Sequence, residues 1–139
     1  MIADTNSVIR AYLVTQATLT NLIGGATPRI YCPRLPENTT LPAVSYFTRG
    51  GSSDLHIKPI LSPSVQFNCW ADDPLKAREI YRALYDVLQG IQMTDVIVGV
   101  TTYSILSARE EVHGQDLVDE TIPNYFRTLC FFSIMIRAE

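Results

Sequence analysis

Residues 64–90, SVQFNCWADDPLKAREIYRALYDVLQG, pass directly from a strand pattern into a helix pattern, and that junction limits the folds open to the chain. Val65, Phe67, Cys69 and Ala71 alternate with Gln66, Asn68 and Trp70, the period of a strand with one buried face. Asp72-Asp73-Pro74 ends the strand and opens the helix. A short carboxylate accepts from the free amides of a first turn, and proline fits a first helical position that needs no N–H. At about 100° per residue, Ala77, Ile80, Tyr81, Leu84, Val87 and Leu88 fall on one side. Arg78, Glu79, Arg82, Asp86 and Gln89 fall on the other, and Gly90 supplies the stop. A helix of this kind lies on a sheet, and the sheet contains the strand that precedes it.

The flanking segments extend the pattern. Asn6 or Ser7 is placed to cap a first helix, whose inner face holds Val8, Tyr12, Leu19, Leu22 and Ile23. Thr18 can cap a separate short turn, so this helix reads as one piece or two, ending at Gly24-Gly25. Residues 26–42 carry Pro28, Pro33, Pro36 and Pro42, which neither continue a helix nor donate to a ladder, with room for a short edge strand at Arg29-Ile30-Tyr31. Residues 43–48 read as a strand. The stretch 49–63 is far longer than the two to five residues of a tight hairpin loop, so it predicts a projecting loop or hairpin arm. Residues 96–108 read as one strand with Gly99 a bulge candidate. The last strand, 125–137, puts Phe126, Thr128, Cys130, Phe132, Ile134 and Ile136 on one face. Its other face is mixed (Tyr125, Arg127, Leu129, Phe131, Ser133, Met135, Arg137), which points to a cover such as another subunit.

The expected architecture is α+β: one domain over residues 1–139, with a single mixed, mainly antiparallel sheet of four to five strands and two helices packed on one face. Strands joined by turns are antiparallel in this scheme, while the strand–helix–strand step admits a parallel pair.

Composition excludes several classes. With 47% hydrophobic and 18% charged residues the chain can bury a core. No apolar run reaches the ~20 residues of a bilayer span, so no membrane partner is expected. The N-terminus lacks the apolar core of a signal peptide, which leads to the expectation of a cytoplasmic origin. Cys32, Cys69 and Cys130 are odd in number and far apart, the usage of free thiols rather than a disulfide framework. A net charge of −3 argues against a general nucleic-acid binder. The charge is uneven: residues 109–120 hold five acids (Glu110, Glu111, Asp116, Asp119, Glu120) against one arginine, a local −4 that leaves +1 for the remainder.

Chemistry is sparse. Gly24-Gly25 lacks the lysine and serine of a phosphate loop, and Gly50-Gly51 opens no helix, so both pairs read as turns. His56 and His113 fall in different loops, each without a second ligand at metal spacing, so no metal or other cofactor is expected. Asp72-Asp73 reads as capping rather than an acid–base pair. Glu110-Glu111 and Asp119-Glu120 lack the alternation and glycine of a calcium loop and read as a solvated acidic loop. Ser104 and Ser107 have no nearby histidine in the sequence. Trp70 reads as packing on the sheet's second face or as an interface anchor.

The order of these features resembles the tail terminator, or tail-completion (head–tail joining), family of long-tailed bacteriophages. The matching pieces are the helix running to LTNLIGG, then RIYCPRLPENTTLPAVSY, SVQFNCWADDPLKAREIYRALYDVL and the closing NYFRTLCFFSIMIRAE. The resemblance implies structural work without catalytic residues or a cofactor. Such subunits form a homo-oligomeric ring, typically a hexamer, on the head-proximal end of the tail tube in the virion, assembled in the host cytoplasm. The implied partners are copies of itself, the major tail-tube protein and the head or neck connector, with DNA only in transit through the bore. Contacts of a ring are heterologous. Two segments are candidates: the arm with Arg49, Gly50, Gly51, Asp54, His56 and Lys58, for such a contact or for the tube face, and the acidic loop with Glu110, Glu111, Asp116, Asp119 and Glu120, facing the bore or a partner. The rivals are another neck or minor tail component, and a small enzymatic or ligand-binding domain with a pocket beside the main helix.

Overall fold

The computed structural model describes residues 4–118 and 125–138. Its elements, in chain order, are α1 (Thr5–Leu13), α2 (Ala17–Thr20), β1 (Ile30–Tyr31), β2 (Ala43–Ser53), β3 (Ile60–Ala71), α3 (Pro74–Leu88), β4 (Gln92–Val98), β5 (Thr101–Val118) and β6 (Phe126–Ala138). The strands form one mixed sheet in the order β1-β2-β3-β6-β5-β4.

The β3–α3 junction forms as its residues dictate. Asp73 is the N-cap and accepts from the Leu75 amide at 2.9 Å, and Pro74 occupies the first helical position. The inner face of α3 is buried at Ala77, Ile80, Tyr81, Leu84, Val87 and Leu88, with Ala83 added at its margin. Beneath it lie Val65, Phe67, Cys69 and Ala71 of β3 and Cys130, Phe132, Ile134 and Ile136 of β6, all fully buried. Complete burial of the Val, Ile and Phe side chains among them stabilises the fold by about 1.5–3 kcal/mol each. Phe67 anchors the layer, stacked on Tyr46 and edge-on to Phe132 with centroids 5.8 Å away in both cases.

The first helix lies on the same face of the sheet. It touches both β2 and β4, which are far apart in strand order, so the sheet curls around its helices. Asp4, not Asn6 or Ser7, holds the N-cap position. Asn6 instead reaches β2, where its side chain accepts from Thr48 at 2.7 Å and its carbonyl from Tyr46 at 2.6 Å. The helical pattern breaks into two pieces at Gln16, which places Ile9 and Leu13 in the core besides Val8, Tyr12, Leu19 and Ile23. A single wheel drawn through the break cannot show them.

Four expectations about the sheet are corrected. Among the described residues it has six strands rather than four or five, and a third, one-turn helix accompanies the two expected. The segment 96–108 is not one strand but the turn of a hairpin: Gly99, with φ 63°, and Val100 link β4 to β5, with Val98 paired to Thr101. The β3–α3–β4 step gives no parallel pair, because β6 and β5 lie between those strands. The parallel pair is β1 with β2, through Ile30 and Val44. Finally, residues 109–118 continue β5 and are not a loop.

Candidate functional site

The arm is the outer end of the β2–β3 pair and lies within the sheet, since β3 also pairs with β6 out to Ile60 and Arg137. β2 and β3 stay paired out to Ser53 and Leu61, so the expected loop shrinks to a tip at residues 54–59. Gly50 and Gly51 lie within this pair, at a bulge between Thr48 and Gly51. Gly51 has φ 123°, and an added Cβ would lie 2.3 Å from the Ser62 carbonyl oxygen, so the close strand approach demands glycine there. Asp54 orders the tip by accepting from the amides of Ile57 at 2.6 Å and His56 at 2.9 Å. Those bonds hold its carboxyl below the usual carboxylate range.

Every residue from Arg49 to Lys58 is exposed. At the tip this includes Leu55 at 88% and Ile57 at 48% of their full accessibility. These two aliphatics were not singled out from the sequence, although apolar residues within a Gly/Ser/Pro-rich excursion are the available signal. Arg49, at the base, turns onto the helix-free face of the sheet. Its guanidinium sits 3.9 Å from the Phe131 ring centroid and donates to Ser64 Oγ at 3.2 Å.

The register and strand alternation place Phe47, Gln66, Phe131 and Val112 in one row across that face, with Arg127 and Leu117 farther along. Trp70 also stands there, donating its indole N–H to Ser45 Oγ at 2.9 Å with Arg127 5.3 Å from its ring. Trp70 and Tyr125 floor a groove of about 450 Å³ whose wall is residues 34–38.

The acidic residues do not form one surface. Glu110 points to the helix side, its side chain only 10% exposed, where the Tyr81 hydroxyl donates to one oxygen and His113 Nδ1 lies 2.7 Å from the other. Tyr81 also accepts from the Gly114 amide at 3.1 Å. Burial, reinforced by the bond to Glu110, raises the Tyr81 pKa, so the phenol keeps its proton and acts as a donor rather than a nucleophile. Glu111, at a bulge, turns to the opposite face and accepts from Ser64 at 2.7 Å. Asp116 returns to the helix side, 3.5 Å from Arg78 and 3.3 Å from the Thr128 hydroxyl. Asp119 and Glu120 lie outside the described residues. His113, expected in a loop, is part of β5, and the tip keeps His56 away from it.

All three cysteines are free thiols, with Cys69 and Cys130 buried and Cys32 exposed. Among the described residues no helix is long and apolar enough to cross a membrane, and no group of His, Cys, Asp and Glu is placed to hold a metal ion. Comparison with known proteins finds no matching family model and no matching curated protein.

Proposed function

We propose that this chain is a structural subunit of a phage tail, assembling as a ring, typically of six copies, on the head-proximal end of the tail tube. In this reading the ring stops tube growth, offers a joining surface to the head or neck and lets DNA pass through its bore. The work is done by surfaces rather than by a catalytic centre, and its place is the virion.

The observation that carries the reading is the arm. The outer end of the β2–β3 pair, exposed from Arg49 to Lys58, with β2 at the sheet edge and Leu55 and Ile57 at the tip, offers a partner both backbone groups and apolar side chains. The helix-free sheet face gives independent support: Phe47, Leu129 and Phe131 are only half-buried there beside Arg49 and Arg127. Aromatic, aliphatic and arginine side chains in that mixture are the composition of a protein–protein contact.

Electron microscopy of tails made with and without this protein tests the proposal. Tubes of uncontrolled length, without heads, are expected in its absence. Finished particles of normal tail length assembled without it overturn the reading.

A further inference from the structure

We infer that the arm tip of one copy docks in the Trp70–Tyr125 groove of a second copy, as a head-to-tail contact. The inference rests on the assembly reading above and names the partner of the arm.

Three observations carry it. The first is chemical order. The groove wall reads Arg34-Leu35-Pro36-Glu37, a cation, two apolar residues and an anion, whereas the tip reads Asp54-Leu55-His56-Ile57-Lys58, an anion, two aliphatics around a histidine and a cation. With the turn docked against the wall, the contact pairs Asp54 with Arg34 and Lys58 with Glu37, and sets Leu55 and Ile57 among Leu35, Pro36, Trp70 and Tyr125. Arg34, Glu37, Asp54 and Lys58 are all exposed, and Asp54, whose Oδ1 takes both turn bonds, keeps Oδ2 for a partner.

The second is capacity and preparation. A groove of about 450 Å³ lies within the ~300–1,000 Å³ range of concave binding sites and has room for branched aliphatic side chains. The tip is held in shape by the Asp54 turn before any contact, which lowers the ordering cost of docking.

The third is placement. The groove adjoins Ala43 and Trp70 at one end of the β2–β3 pair, and the tip follows Ser53 and Leu61 at the other. Ten residues of strand at ~3.3 Å each separate them by roughly 30 Å, so a chain cannot fill its own groove. Two different patches at opposite ends of the β2–β3 pair, which β6 holds in the sheet, make a heterologous contact that propagates from copy to copy and closes when the rotation permits.

The test uses the full chain in a Cys32→Ser background, where Cys69 and Cys130 are buried. Leu55→Cys and Pro36→Cys are made singly and together and treated with a short bismaleimide cross-linker. The double variant is expected to give a ladder extending beyond dimers. A mixture of the two single variants is expected to stop at a dimer containing one of each. Lys58→Glu and Glu37→Lys are each expected to lower the yield about tenfold and, combined, to restore it. Absence of the mixed dimer, or tip-to-tip dimers of Leu55→Cys alone, overturns the contact. Rings seen on tails without this cross-link also overturn it while leaving the assembly reading intact. Cross-linked multimers of a chain absent from finished tails uphold the contact and remove the tail-end reading.

Discussion

Tyr81 closes over the α-carbon of Gly114: a Cβ at that position would lie 2.8 Å from two ring carbons and 2.9 Å from Cγ2 of Thr128. The pair joins α3 to the bulged part of β5, and the Gly114 amide donates to the same hydroxyl that donates to Glu110.

Gly114→Ala is therefore expected to destabilise the fold by about 1–3 kcal/mol, the usual cost of overpacking. In a Tyr81→Leu background the same change costs less, because the ring it strikes is gone. Urea unfolding of the four chains of this cycle measures the difference, and full additivity would refute the contact as the cause.

Asp72 and Asp73 are expected to separate cleanly. Asp73→Ala removes the cap bond to Leu75 and costs about 1 kcal/mol. Asp72→Ala stays within about 0.5 kcal/mol, since its exposed pair with Lys76 is 4.0 Å long. Thermal melts of the two variants check the order.

Deleting the arm across residues 50–58 is expected to abolish ring or tube joining while leaving the core folded, because all of those residues are exposed. Circular dichroism reports the fold and electron microscopy of tails the joining. Unchanged assembly would exclude the arm from the contact.

Stability is expected to fall on the alkaline side. Burial pushes the Cys69 thiol from 9.0 up to about 12, and raises Cys130, Tyr46 and Tyr81 as well. A raised folded-state pKa gives stability that is complete below the unfolded value and is lost as pH rises through the folded one. The loss therefore begins near pH 9 for the thiols and continues toward about pH 12. Urea midpoints from pH 7 to 11 follow it, and Cys69→Ala should flatten the slope above pH 9.

The β3–α3 unit was legible because short-range signals agree there. Alternation fixes the buried face of β3, the cap and proline fix the helix start, and the wheel fixes the face of α3. The long β5 was illegible for an equally local reason. Register shifts between Ile105 and Ser107, Glu110 and Val112, and Val112 and Gln115 break its two-residue period three times. What remains in the sequence is a polar run that looks like a loop. The β4–β5 turn was missed because Gly99 supplies a hairpin's positive φ and a strand's bulge equally well.

By itself, then, the sequence determined an α+β architecture and the faces of its main helix and of β3 and β6, since each follows from neighbours within a few residues. The projecting arm expected over 49–63 is instead sheet with a short tip at 54–59. Tertiary structure decided that β6 inserts between β3 and β5, that Glu110, Glu111 and Asp116 turn to different partners, and that tip and groove occupy opposite ends of one strand pair. Those outcomes depend on contacts between residues far apart in the chain, and local period and propensity carry no record of them.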